Sequence, residues 1–296
     1  MKIKQRSREE FHFYLFILPW ILGFLAFTAY PVISSLYYSF TQYDAITPAK
    51  FIGLENYKTL FHEDVFYKSI KATLLYTAIG VPLGMVVSLG FAMLLNCIRV
   101  FQNFFRTALY FPSMISGVTM SLTWLWLFNP RVGLVNFFLS LFGIHGPAWL
   151  LDYRAALFAV IIMSLWGVGG GMVIFLASLK SVPETYYEAA ILDGAGPVRR
   201  FLNITLPMIS PVILFQLMMT MIDAFQIFTP AYVMTQGGPQ YATWFYVFYL
   251  YKSAFSDWKV GYSSALGWIL LAVVTIVSFI IIKTSDKFVY YEGGKN

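Results

Sequence analysis

Along most of this chain apolar residues do not alternate with polar ones; they run together. Stretches free of Asp, Glu, Lys and Arg cover residues 11–40, 72–98, 107–129, 155–179 and 260–282. A further run, from about 206 to 234, is interrupted by one acid, Asp223. About 20 apolar residues of helix cross the ~30 Å hydrocarbon core of a bilayer. Each of these runs therefore predicts a membrane-spanning helix, the first long enough to tilt or to bend at Pro19 or Pro31. Two other stretches fall short. Residues 132–151 carry no charge, but the strongly apolar part ends at Phe142 and is broken by Gly143, Gly146 and Pro147. It reads as a short interfacial or re-entrant helix. Residues 241–251 (YATWFYVFYLY) are aromatic but too short to span, and Tyr and Trp favour the headgroup layer.

Composition supports lipid as the solvent. Of the 296 residues 59% are hydrophobic and only 11% charged, where a soluble domain carries about a quarter charged. The net charge of +6 does not point to nucleic acid, because the basic residues sit in short segments between the runs. They test orientation instead. With Lys2, Lys4, Arg6 and Arg8 inside, twelve of the 20 lysines and arginines fall on the inner segments, the sign expected of positive-inside topology. The expected architecture is an all-α integral membrane protein. It has six transmembrane helices and both termini cytoplasmic: a tail at 1–10, a helical domain at 11–283 and a tail at 284–296. The uncharged run at 11–43 exceeds the ~7–15-residue core of a cleaved signal, so it is expected to be a first span. The single cysteine, Cys97, allows no internal disulfide and reads as a packing residue at a helix end.

The segment joining the fourth and fifth runs is SVPETYYEAAILDGAGPVRRFLNITLP, 181–207. Ser181 and Glu184 have capping-box spacing, predicting a helix from about Val182. Tyr186, Tyr187, Ala190 and Ile191 recur at helical spacing and predict one apolar face. Gly194 stands where a left-handed residue ends a helix, and Pro197 where a second helix begins. Helix, glycine corner, helix, with Arg199 and Arg200 on the second arm, is a shape suited to a groove on a soluble partner.

Glu188, Ala189, Ala190, then Gly194, then Ile204, Leu206 and Pro207 reproduce at every position the E-A-A, G, I-x-L-P pattern of the cytoplasmic loop in permease subunits of binding-protein-dependent ABC importers. The chain resembles that family. The stretches FIGLENY (51–57) and YVMTQGGP (232–239) look like its carbohydrate-type members, in particular the maltose-permease first subunit. Extra N-terminal spans and a large periplasmic insertion of that subunit have no counterpart here, which makes the chain like the compact oligosaccharide and glycerol-phosphate permeases. The resemblance implies that 181–207 is the coupling helix region docking on an ATPase, with Glu188, Ala189, Ala190, Asp193, Gly194 and Arg199 at the contact. It also implies a second, related permease subunit, two copies of a cytoplasmic ATPase, an extracytoplasmic solute-binding protein docking on the outer loops (41–71 and 231–259), and a sugar substrate. The setting would be a bacterial or archaeal cytoplasmic membrane. ATP and Mg would sit on the partner ATPase, and no cofactor on this chain.

A sugar needs flat apolar faces and hydrogen-bond partners, and polar groups at span depth are costly to leave unused. On the third run Ser113, Ser116, Gly117 and Thr119 are candidates; on the fourth, Ser164 and Trp166 precede a glycine run at 167–171. On the fifth, Gln216, Thr220, Asp223 and Gln226 share a helical face, with Ile227 beside them. The candidate substrate set is Ser113, Gly117, Ser164, Trp166, Thr220, Asp223, Gln226 and Ile227. The glycines serve equally for helix packing, and Asp223 equally for a structural pair. No catalytic constellation is visible: His12, His62 and His145 are scattered, and no phosphate-binding G-x-x-x-x-G-K-[ST] loop occurs. The alternatives are an ion-coupled secondary carrier using Asp223, a permease for a non-sugar solute such as glycerol phosphate, and a non-transporting membrane scaffold.

Overall fold

The computed structural model describes residues 2–98, 100–285 and 289–290, with side chains from Phe13 onward. The expected 1–10 tail is thus described in backbone only and most of 284–296 lies outside the described residues, as do Arg99, Lys287 and Lys295 of the orientation argument.

Among the described residues the regular structure is helical apart from one two-stranded ribbon. Helix α1 (Lys2–Phe24) runs through a π-helical turn at Leu25–Ala29 into α2 (Tyr30–Ser39). Strands β1 (Thr41–Gln42) and β2 (Lys50–Phe51) pair antiparallel, Thr41 opposite Phe51. Then come α3 (Glu55–His62), α4 (Asp64–Cys97), α5 (Gln102–Tyr110), α6 (Gly117–Leu127), α7 (Leu134–Leu141), α8 (Tyr153–Trp166), α9 (Gly169–Ser181), α10 (Glu184–Leu192) and α11 (Pro197–Arg200). The order closes with α12 (Leu206–Met208), α13 (Ser210–Phe225), α14 (Tyr246–Tyr251) and α15 (Val260–Ser285).

Among the described residues three helical stretches are long and apolar enough to cross a membrane: Phe13–Ser39, Asp64–Cys97 and Val260–Ser285. Two bent pairs, Tyr153–Trp166 with Gly169–Ser181 at 49° and Pro197–Met208 with Ser210–Phe225 at 67°, raise the number to five if each is one span. The run at 107–129, expected as one helix, is divided: Phe111–Met114 is a 3-10 turn around Pro112, and α6 restarts behind Ser116, whose Oγ accepts from Thr119 N at 3.3 Å. The shorter stretches behave as expected by length, α7 having eight residues and α14 six.

The chain divides into two compact units. In the first (1–63 and 250–272) the ribbon and α3 close the end of α2. Asn56, buried, donates from Nδ2 to Ser39 O and Thr41 O, each at 2.9 Å. Tyr57 Oη reaches Ser39 Oγ at 2.9 Å. Gly261 lies so close to the ribbon that a Cβ would stand 2.0 Å from Thr41 O. Trp268 Nε1 donates to Ser35 Oγ at 3.2 Å.

In the second unit (64–249 and 273–296) α4 packs along α9, α13 and α8. One buried cluster joins Tyr76, Val81, Val160, Ile161, Ala224 and Phe245; another joins Ala92, Leu95, Met172, Phe175, Leu179 and Ile209. The bend before α13 has a covalent cause. Pro211 has no N–H to give Pro207 O, and Ser210 Oγ takes that carbonyl at 2.6 Å. The bend between α8 and α9 falls at Gly167–Val168, where Ser88 Oγ donates to Val168 O at 3.3 Å. Gly169 permits the close approach of α5, since a Cβ there would lie 2.5 Å from Leu109 O.

Candidate functional site

The apolar face of α4 is interrupted at four-residue steps by Tyr76, Gly80, Gly84 and Ser88. That spacing puts all four on one side of a helix. The side faces a cavity of about 250 Å³ whose other walls are the α8–α9 bend (Ser164, Gly167, Val168, Gly171) and α13 (Gln216, Thr220, Asp223), with Ile227 beyond its end. Glycines bring the walls together: a Cβ at Gly171 would stand 2.8 Å from Gln216 Nε2 and 3.1 Å from Ser88 Oγ.

The polar groups differ in what they have left to offer. Ser164 Oγ donates to Ile161 O at 2.7 Å and is paired with the Tyr76 hydroxyl. Thr220 Oγ1 donates to Gln216 O. Asp223 is exposed at the cavity edge, in the last turn of α13. Among the described residues, lysine, arginine and histidine are absent from the lining. The site is a groove with one carboxylate among otherwise neutral groups, able to accept and donate hydrogen bonds against an apolar floor that includes Val81, Met85 and Phe175.

Of the candidate substrate set, Ser164, Thr220, Asp223 and Ile227 meet here. The others do not. Ser113 donates to Tyr110 O at 2.6 Å, Gly117 packs toward Thr229, and Gln226 is the exposed residue that ends α13. Trp166 lies outside the lining and packs edge-on against Trp124, ring centroids 5.9 Å apart. Sequence reasoning missed the α4 wall, although its four-residue recurrence of small and polar residues was legible.

The second feature is the elbow at 181–207. Helix α10 ends in a Schellman arrangement: Ala195 N donates to Ala190 O at 2.8 Å and Gly194 N to Ile191 O at 3.0 Å. Gly194 has φ +75°, the left-handed value the sequence predicted. Pro197 opens α11 as expected. The start differs from expectation. Ser181 belongs to the last turn of α9 and donates to Ser178 O at 2.8 Å, while Pro183 occupies the cap position before Glu184 without a side-chain cap. The helix therefore begins at Glu184, not near Val182, because Pro183 breaks the chain between the two helices. The apolar face also divides. Tyr187 packs inward with its hydroxyl 2.9 Å from Thr205 Oγ1, whereas Tyr186 and Ile191 point to the surface with Leu192 and Val198. Glu188, Ala189, Asp193, Gly194 and Arg199 are exposed and Ala190 half-buried.

Residues 80–289 match the family described as binding-protein-dependent transport system inner membrane component. The chain belongs to that family. The matched region holds the elbow and most of the cavity. The permease is 42% identical over 297 residues to YesP of Bacillus subtilis (strain 168), a probable ABC transporter permease, covering 98% of this chain and 96% of that one. It is 34% identical to the arabinooligosaccharides transport system permease AraP of the same organism, over 93% of this chain and 88% of that one. In fold it matches a chain of a bacterial ABC transporter involved in import of the acidic polysaccharide alginate. The TM-score is 0.87 at 22% identity, over 98% of this chain and all of that one.

Proposed function

We propose that this permease is a membrane-spanning subunit of an ATP-driven importer, and that its cargo is a saccharide, an oligosaccharide rather than a monosaccharide. Six spans, with 107–129 counted as one broken span, put both termini and the elbow on the cytoplasmic side of a bacterial or archaeal inner membrane. A second, related permease completes the translocation path. Two copies of a cytoplasmic ATPase hold ATP and Mg and receive the elbow, with Glu188, Ala189, Ala190, Asp193, Gly194 and Arg199 at the contact. A binding protein on the other side delivers the sugar. Family membership and the sugar-permease relatives support the substrate class. The observation that carries the coupling role is the elbow itself. A glycine-locked corner holds Ile191, Leu192 and Val198 in the open, and a soluble partner's groove would cover that exposed apolar surface.

In the cavity, Asp223 accepts from sugar hydroxyls, Thr220 and Ser164 add acceptors, and Ile227 supplies apolar contact. Closure of the ATPase pair draws the two elbows together, and each bent pair transmits the movement to the cavity wall. The test is uptake of labelled sugars in vesicles holding this chain, its partner permease, ATPase and binding protein, with and without Glu188→Lys. ATP-dependent uptake abolished by the substitution, with the complex still assembled or weakened only at the ATPase, is the expected result. Uptake indifferent to ATP and to Glu188 would refute the coupling role and favour an ion-coupled carrier centred on Asp223.

A further inference from the structure

Behind the elbow lies a second cavity, of about 230 Å³, lined by Met93, Asn96 and Cys97 at the end of α4, by Leu179 at the end of α9, and by Tyr187, Pro197, Arg200, Phe201 and Thr205 of the elbow. Among the described residues its one charged group is Arg200. The Nε of that guanidinium is buried and has no hydrogen-bond partner among the described residues. Arg200 is half-buried as a residue, but an Nε–H taken out of water without an acceptor is costly, and among the described residues no carboxylate is in the lining. The remaining polar atoms are donors or can become so. Tyr187 and Thr205 hydroxyls pair at 2.9 Å. One hydroxyl hydrogen serves that bond, which leaves the other to donate elsewhere. Asn96 adds an amide at the rim. A guanidinium fork, a spare hydroxyl and an amide around a small cavity make a set that matches a tetrahedral oxyanion.

We propose that this cavity binds a phosphate-type oxyanion, supplied by an anionic phospholipid headgroup or by free phosphate. The place suits both sources. It lies where α4 and α9 end, the depth at which lipid phosphates meet basic side chains, and Met93, Leu179 and Phe201 furnish apolar walls. The bound oxyanion joins three segments: the end of α4, the inward face of α10 through Tyr187, and the second arm through Arg200. Occupancy therefore stiffens the root of the elbow without touching its exposed tip, and makes lipid or phosphate content a regulator of the movement that the elbow transmits.

Cys97, the only cysteine of the chain, lines the cavity and is exposed, so it reports occupancy at this place alone. The full chain in neutral-lipid nanodiscs is alkylated with N-ethylmaleimide while inorganic phosphate, or the soluble lipid dihexanoyl phosphatidylglycerol, is titrated. A ligand at ten times its midpoint slows alkylation about tenfold. The protection should vanish in Arg200→Gln, return in part in Arg200→Lys, and persist in Arg199→Gln. Protection by phosphate shows that the free ion suffices; protection by the lipid alone assigns the headgroup. The proposal is overturned by no protection from either probe, by protection undiminished in Arg200→Gln, by equal protection from chloride at the same ionic strength, or by protection only when the ATPase is added, which would mark a partner carboxylate instead. Transport is not part of the readout, so failure here leaves the importer reading intact and the converse also holds.

Discussion

Asn56 offers a sharp test of the first unit. Its Nδ2 donates to Ser39 O and Thr41 O, both at 2.9 Å, from a side chain only 8% exposed. Asn56→Leu keeps nearly the same volume and removes both donors, leaving two carbonyls with a lost partner each. At about 1–3 kcal/mol per abandoned buried group, discounted because one carbonyl can turn to water, the sum is about 2–4 kcal/mol. Every 1.4 kcal/mol is about tenfold in an equilibrium. The opening of residues 39–57 should therefore become about 30- to 1000-fold more frequent. Hydrogen exchange of those amides, followed by mass spectrometry on the full chain in nanodiscs, reads that equilibrium directly. Asn56→Asp sharpens it: a carboxylate is acceptor-only and would face two carbonyl oxygens, so exchange should rise more than in the Leu variant. An increase below about threefold in Asn56→Leu, or an Asp variant that exchanges like wild type, would refute the view that these two bonds close the end of α2.

Gly194→Ala places a Cβ in open space at φ +75° and should cost about 1 kcal/mol, read as faster exchange at 184–195. Gly196→Ala, at φ −67°, should cost almost nothing. Gly171→Ala forces Gln216 Nε2 away from 2.8 Å, and at about 1–2 kcal/mol for overpacking should raise the KM for uptake roughly tenfold. Asp223→Ala should weaken transport by about 10- to 100-fold if a sugar hydroxyl donates to the carboxylate, whereas Ser164→Ala should change it by less than about threefold. The Asp44 carboxylate is held below its ordinary value of 3.8 by the Thr47 N–H, then by the Ile46 N–H and the Thr47 hydroxyl. A depressed acid lends stability above its unfolded value and loses it as pH falls through the folded one. Pepsin cleavage at 43–50 should therefore accelerate only well below pH 3.8, and in Asp44→Ala should be fast throughout.

Composition and charge-free runs identified the long helices, because lipid solvation imposes a length and an apolarity that no local detail overrides. The bends were less legible. A proline in an apolar run reads as tolerated, and hydropathy is blind to direction, so 107–129 looked continuous although Pro112 and Ser116 divide it. The elbow was readable at Gly194 and Pro197, where backbone chemistry leaves few choices, and misread at Ser181, where a serine within reach of Ser178 O and a following proline defeat the capping pattern. At the cavity, the α13 face was legible through its polar spacing. The α4 face was written in the sequence as well, at Tyr76, Gly80, Gly84 and Ser88, but two of its four members are glycines, which read as helix-packing residues rather than as a wall. The two tryptophans, Trp124 and Trp166, spend their edges on each other.

The same backbone economy ranks the polar groups at the cavity. A straight helix in lipid satisfies its own carbonyls, and a bend must find other donors for those it frees. Here two hydroxyls do that work: Ser88 serves Val168 O and Ser210 serves Pro207 O, while Ser164 and Thr220 donate to carbonyls within their own helices. Each has committed its one proton and can only accept from a ligand. Gln216 retains an amide that both donates and accepts, and Asp223 a carboxylate that only accepts. A saccharide hydroxyl does both. The group able to read it in both directions on this wall is therefore Gln216, with Asp223 as the stronger acceptor, and Ser164 and Thr220, which drew attention in the sequence, spend their protons on their own helices.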